Sequence, residues 1–178
     1  MSAFKALGRL GFANHVLALR LSTGAATGPG AHQYHFDIGD AQGQPERLTG
    51  LALFGGEPRL FPVRGYRYGF RSGRLAWSTS GEYRFPIAIV DRGFGAWPLF
   101  LDRLHGALFV DGGNAWGPVT GERGYDNPAQ PALWSVGGEL SLIVAVLYQR
   151  GFDLRLGTGF PLVESNDPVF YLRIGNPF

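Results

Sequence analysis

Two charged residues stand where their chemistry would matter most. Arg64 lies beside Gly65 in the stretch Val63-Arg64-Gly65-Tyr66, and Asp111 lies in Phe109-Val110-Asp111-Gly112-Gly113. An arginine at the tip of a Gly- and Pro-rich loop carries one fixed charge and a rigid donor fork. A carboxylate that receives the fork bidentately offsets the cost of burying it. Such a pair would lock a loop in place and would catalyse nothing. The residues alone leave a second account open, with Arg64 in a solvated turn and Asp111 capping the turn at Gly112-Gly113.

Reactive constellations are missing from the sequence. His15, His32, His35 and His105 include one close pair, and no carboxylate completes a metal-binding spacing around it. Asp37 and Asp40 flank Gly39 without the run of oxygen ligands that a calcium loop needs. No G-x-S-x-G elbow occurs, and the absence of cysteine removes thiolate chemistry and disulfides. The expectation is a protein that is not an enzyme and uses no cofactor or metal. A net charge of +2, from 16 basic and 14 acidic residues, with no basic run, argues against nucleic acid as a partner.

Strands must position these residues. Over residues 75–87, Leu75, Trp77, Thr79, Tyr83, Phe85 and Ile87 alternate with Ala76, Ser78, Ser80, Glu82 and Arg84, the period of two of a β-strand. The same alternation recurs over residues 15–22, 104–111, 133–146, 152–157 and 169–178. Its polar parity carries Glu82, Arg84, Glu139, Asp153, Arg155, Arg173 and Arg20, which could pair across neighbouring strands. The opposite parity is too aromatic for ordinary exposure to water. Lipid on one side and a polar interior on the other would suit both.

The composition agrees with an all-β chain. It holds 28 glycines, 14% aromatic and only 17% charged residues, with a mean hydropathy of -0.01. No stretch approaches the ~18 to 20 unbroken apolar residues of a spanning helix. Turns are expected at Ala13-Asn14 and, as an interfacial turn with Trp97, Pro98 and Phe100, over residues 91–101. Residues 23–74 form a connection too long for a plain loop, so it should hold structure of its own or pack inside something. The strands, each about 9 to 11 residues long, total six or seven, whereas single-chain barrels begin at about eight. Closure would take upstream strands, a second copy, or pieces of the loop as wall.

Four elements occur in order: Val63-Arg64-Gly65-Tyr66, Glu82-Tyr83-Arg84-Phe85-Pro86, Phe109-Val110-Asp111-Gly112-Gly113-Asn114-Ala115-Trp116, and the terminal Phe178. Together they resemble the C-terminal half of the barrel in the BamA-type outer-membrane insertase superfamily, the bacterial surface antigen domain. The resemblance implies an antiparallel transmembrane β-barrel portion over residues 1–178. Residues 23–74 would be a loop folded into the lumen and residues 75–178 the C-terminal strands. A lumen lock would join Arg64, Gly65 and Tyr66 to Phe109, Asp111 and Gly112. Phe170, Leu172, Ile174 and Phe178 would form the sorting signal read by the barrel assembly machinery.

The implied setting is the bacterial outer membrane, with its lipid and client outer-membrane polypeptides as partners. The implied role is assembly, insertion or translocation of polypeptides. The first 22 residues lack a signal-peptide pattern, because Lys5, Arg9 and Arg20 interrupt any apolar core, so a fragment or the tail of a longer protein is expected. The alternative is a soluble antiparallel barrel or sandwich that binds a small apolar ligand. It would turn the aromatic face inward and leave Glu82, Arg84, Asp153, Arg155 and Arg173 in water.

Overall fold

The computed structural model describes residues 1–10, 13–29, 35–40, 61–93, 97–117, 130–146, 150–164 and 167–175. Alternating sequence produces strands throughout: β1 (Ser2–Leu10), β2 (Ala13–Ala25), β3 (Phe36–Ile38), β4 (Arg71–Gly73), β5 (Leu75–Gly93), β6 (Leu99–Trp116), β7 (Leu133–Val146), β8 (Arg150–Pro161) and β9 (Val169–Gly175). Seven form one antiparallel sheet in the order β1-β2-β5-β6-β7-β8-β9, and β3 and β4 pair separately. Among the described residues the fold is thus an all-β meander with an excursion between β2 and β5.

The two faces of the large sheet have opposite chemistry. On β5, Leu75 is exposed while Ala76, Ser78 and Ser80 are buried. On β6, Leu108 and Val110 are exposed, whereas Phe109 is buried and Asp111 is 0% exposed. Trp134, Leu140, Leu156 and Leu172 continue the apolar face, which ends on β9 at Phe170, 73% exposed. Ser135, Glu139, Ser141, Asp153 and Arg173 continue the polar face and are buried. A water-soluble sheet buries its apolar side, so this distribution is inverted.

The excursion between β2 and β5 covers part of the polar face. Ile38, Phe61, Val63 and Tyr66 pack with Ala76, Ala115 and Leu133 of β5, β6 and β7, with Phe36 and Phe70 at the margin. Asp40 bridges to Val63, and β3 and β4 pair from Phe36↔Gly73 to Ile38↔Arg71. Glycines let the loop tip approach the sheet backbone. Gly65 has φ +94, and a Cβ on Gly159 of β8 would sit 2.5 Å from the Gly65 nitrogen and 2.7 Å from its Cα.

Several expectations need correction. The first turn is not at Ala13-Asn14, which already pair with Leu10 and Arg9 inside β2. Residues 91–101 are not simply a turn: β5 continues to Gly93 and β6 begins at Leu99. Register shifts between Pro86 and Ala88 and between Ile89 and Arg92 interrupt the alternation there. The strands are not uniformly short, since β5 has 19 residues and β6 has 18. Loop pieces make a sheet of their own, and among the described residues β1 and β9 each pair on one side only. No closed barrel is formed by the described strands.

Close packing of the tip on β8 generates a contrast between two glycines. Gly159→Ala must push the tip away and should cost about 1–3 kcal/mol. Gly138→Ala, whose Cβ would meet nothing closer than 3.5 Å, should be nearly neutral. Denaturant midpoints of the two variants check this, and equal midpoints would mean that the tip does not rest on β8.

Candidate functional site

The turn from Val63 to Tyr66 is closed by a hydrogen bond from the Tyr66 amide to the Val63 carbonyl (3.4 Å), with Gly65 in the left-handed region. This geometry aims the Arg64 side chain into the polar face. Its Nε donates to Asp111 Oδ2 at 2.6 Å and its Nη2 to Asp111 Oδ1 at 2.7 Å, a bidentate pair. The Arg64 backbone amide also donates to Asp111 Oδ2 at 3.1 Å.

Two further carboxylates converge on the same guanidinium. Nη1 lies 2.7 Å from Glu82 Oε1 of β5 and 3.1 Å from Glu139 Oε1 of β7. Nη2 donates to Ser80 Oγ at 2.9 Å, and the guanidinium carbon sits 3.6 Å from the centre of the Phe109 ring. One loop residue is therefore bound to three adjacent strands. Burial alone would weaken its charge, but the hydrogen bonds to Asp111 and the fields of Asp111, Glu82 and Glu139 outweigh burial and hold Arg64 above its ordinary pKa. It stays cationic at any working pH.

Tyr66 fixes the other side of the tip. Its hydroxyl lies 2.8 Å from the carbonyls of both Trp134 and Val163 and accepts from the Val163 amide at 3.2 Å. Burial raises its pKa, against the lowering effect of its backbone hydrogen bonds. The phenol thus remains a donor at neutral pH, linking the loop to β7 and to the segment after β8.

Glu139 extends the cluster to the sheet's last strand. Its Oε1 accepts from the Tyr171 hydroxyl at 2.6 Å and from Arg173 Nη2 at 2.7 Å, besides Arg64. Beyond it, Arg155 pairs with Asp153 at 2.7 Å, and the Ser141 hydroxyl donates to Asp153. On β5, Arg84 pairs with Glu82 through Nε at 2.8 Å. These six charged strand residues therefore share one face, and Arg20, the seventh expected there, pairs in register with Ser80 of that face.

Other expected site residues are distributed differently. Gly112 does not face the loop, because a Cβ there would meet the Trp134 ring on the apolar face at 2.6 Å. Gly113 makes the close approach instead, with its Cβ position 2.9 Å from Val63 Cγ2. Phe170 and Leu172 are exposed on the apolar face, and Ile174 pairs with Leu154 in backbone register. Phe178 lies outside the described residues. Among those residues no group of three or more His, Asp or Glu could hold a metal ion.

Sequence reasoning missed Arg71. It is fully buried, donating through Nη1 to Asn114 Oδ1 at 2.6 Å and to the Pro131 carbonyl at 2.9 Å, and through Nη2 to Glu164 Oε1 at 2.6 Å. Arg64, Arg67 and Arg71 lie within eight residues, and nothing in their spacing marks the third as an anchor. No family model matches the chain, and neither a curated protein nor a solved structure does.

Three acceptors for one cation imply an unequal outcome on deletion. Arg64→Ala takes the bidentate partner from the buried Asp111 and should cost about 3–5 kcal/mol. Asp111→Ala should cost distinctly less, because Arg64 retains Glu82 and Glu139. Denaturant unfolding of both variants is the check, and equal losses would mean that Asp111 alone holds the arginine.

Proposed function

We propose that this chain is the C-terminal wall and lumen loop of an outer-membrane β-barrel of the surface antigen superfamily, acting in the assembly, insertion or translocation of polypeptides in the bacterial outer membrane. The observation that carries the reading is the inverted polarity of the sheet, with leucine and aromatic side chains exposed and carboxylates and arginines buried. Lipid rewards such an outer face, and a covered lumen accommodates such an inner one. The loop held on the charged face by Arg64, in the motif order given above, supports the choice of superfamily.

On this reading Arg64 is structural. Docked on Asp111, Glu82 and Glu139, it makes the loop a plug that braces β5, β6 and β7. The edges of β1 and β9, which among the described residues pair on one side only, then become the reactive part of the molecule, because an edge that exchanges its partner templates an incoming strand. Outer-membrane lipid, the barrel assembly machinery and client polypeptides are the partners that follow. No helix among the described residues is long and apolar enough to cross a membrane, which has no bearing on strands.

The soluble alternative expects the aromatic face inward and the charged face in water. The exposed Leu108, Leu156, Phe170 and Leu172 and the buried Glu139, Asp153 and Arg173 weigh against it.

Heat-modifiable gel mobility of the chain refolded in detergent tests the proposal. A faster unboiled band is expected, reflecting a detergent-resistant barrel closed with further strands or copies. Solubility in plain buffer with no shift would overturn the membrane reading.

A further inference from the structure

Glu139 is shared by the loop and the edge strand β9. Arg64 of the loop reaches its Oε1 at 3.1 Å, and Tyr171 and Arg173 of the edge strand β9 reach the same oxygen at 2.6 and 2.7 Å. Oε2 receives the longer approach of Arg155 Nη1, at 4.0 Å. Three donors thus crowd one oxygen, and two of them belong to guanidinium groups that repel each other. Arg64 has alternative acceptors in Asp111 and Glu82. Arg173 is ion-paired with Glu139 through its Nη2.

We propose that Glu139 makes loop docking and the hold on β9 compete, so that a docked loop loosens the edge strand and a released loop tightens it. When Arg64 withdraws, Glu139 loses a rival cation and is free to turn its carboxylate fully to Arg173 and Tyr171. Conversely, removing Arg173 leaves Arg64 as the nearer guanidinium on Glu139, at 3.1 Å against 4.0 Å for Arg155. Coupling of this kind is reciprocal by thermodynamic necessity, since each partner alters the other's binding by the same factor. The function is a switch: the loop sets how readily the backbone edge of β9 exchanges partners. The contacts that carry it do not depend on the membrane reading, although that reading gives the edge its use.

Amide hydrogen exchange of the full chain, in whichever milieu preserves wild-type strand protection, tests the competition. In Arg64→Ala, amides of β9 from Val169 to Gly175 should exchange about fivefold more slowly than in wild type, even as loop amides speed up. In Arg173→Met the reciprocal is expected: the Arg64 amide, which donates to Asp111, and the Asp40 amide, which donates to the Tyr66 carbonyl, should slow by a similar factor. Unchanged or faster β9 exchange in a folded Arg64→Ala protein overturns the proposal. Should Arg64→Ala lose protection across the whole sheet, the Arg173→Met result decides alone, and loop amides that fail to slow there overturn it. Either result can be read whether or not the protein shows heat-modifiable mobility, so failure of the switch is distinct from failure of the membrane assignment.

Discussion

The docking of the loop tip depends on one buried cation, Arg64. Taking a guanidinium out of water costs several kcal/mol, and only excellent geometry with opposite charges repays it. Arg64 meets that condition by sharing three carboxylates from three adjacent strands and stacking on Phe109. The requirement runs the other way too. Glu82 has Arg84, Glu139 has Arg173 and Asp153 has Arg155, while Asp111 takes its bidentate partner from the loop. The charged face of the sheet and the loop therefore complete each other.

Backbone space makes that electrostatic fit possible. Gly65, Gly113 and Gly159 remove the side chains that would hold the tip off the sheet, so the Arg64 amide as well as its side chain reaches Asp111. At the far end of the strands the loop is seated differently, by Ile38, Phe61 and Val63 on Ala76, Ala115 and Leu133. Arg71, bound to Asn114 and Glu164, secures that end. The loop is held by a charged clamp at its tip and by an apolar base with a second arginine, so loss of one need not release the other.

Much of this was legible in the sequence because period-two patterning reports which side of a sheet a residue occupies. Asp111, Glu139, Asp153 and Arg173 were assigned to one face on that basis, and Arg64 stood out through its glycine neighbour. Parity does not report register, so it could not say that Glu139 would reach both the loop and β9. It also fails where register shifts, which is why the pairing of Arg92 with Leu101 and of Gly93 with Phe100 was hidden. The resemblance groups Gly112 with the lock, although its own parity sends it to the other face. Arg71 was illegible because its partners, Asn114, Pro131 and Glu164, lie 43, 60 and 93 residues away.

The strand count constrains how the sheet completes itself. In a meander of seven antiparallel strands the first and last run in the same direction, so β1 and β9 cannot form an antiparallel seam with each other. An all-antiparallel closure needs an odd number of further strands, bringing the total to the even values of bacterial single-chain barrels. In lipid this is not optional, because each unpaired amide or carbonyl on an edge would cost several kcal/mol with no water to receive it. On the proposed reading, then, β9 always has a partner, and what can vary is how firmly it holds that partner. The side chains that brace β9 from the polar face, Tyr171 and Arg173, are the ones that meet the loop's arginine on Glu139, which places control of the edge with the loop.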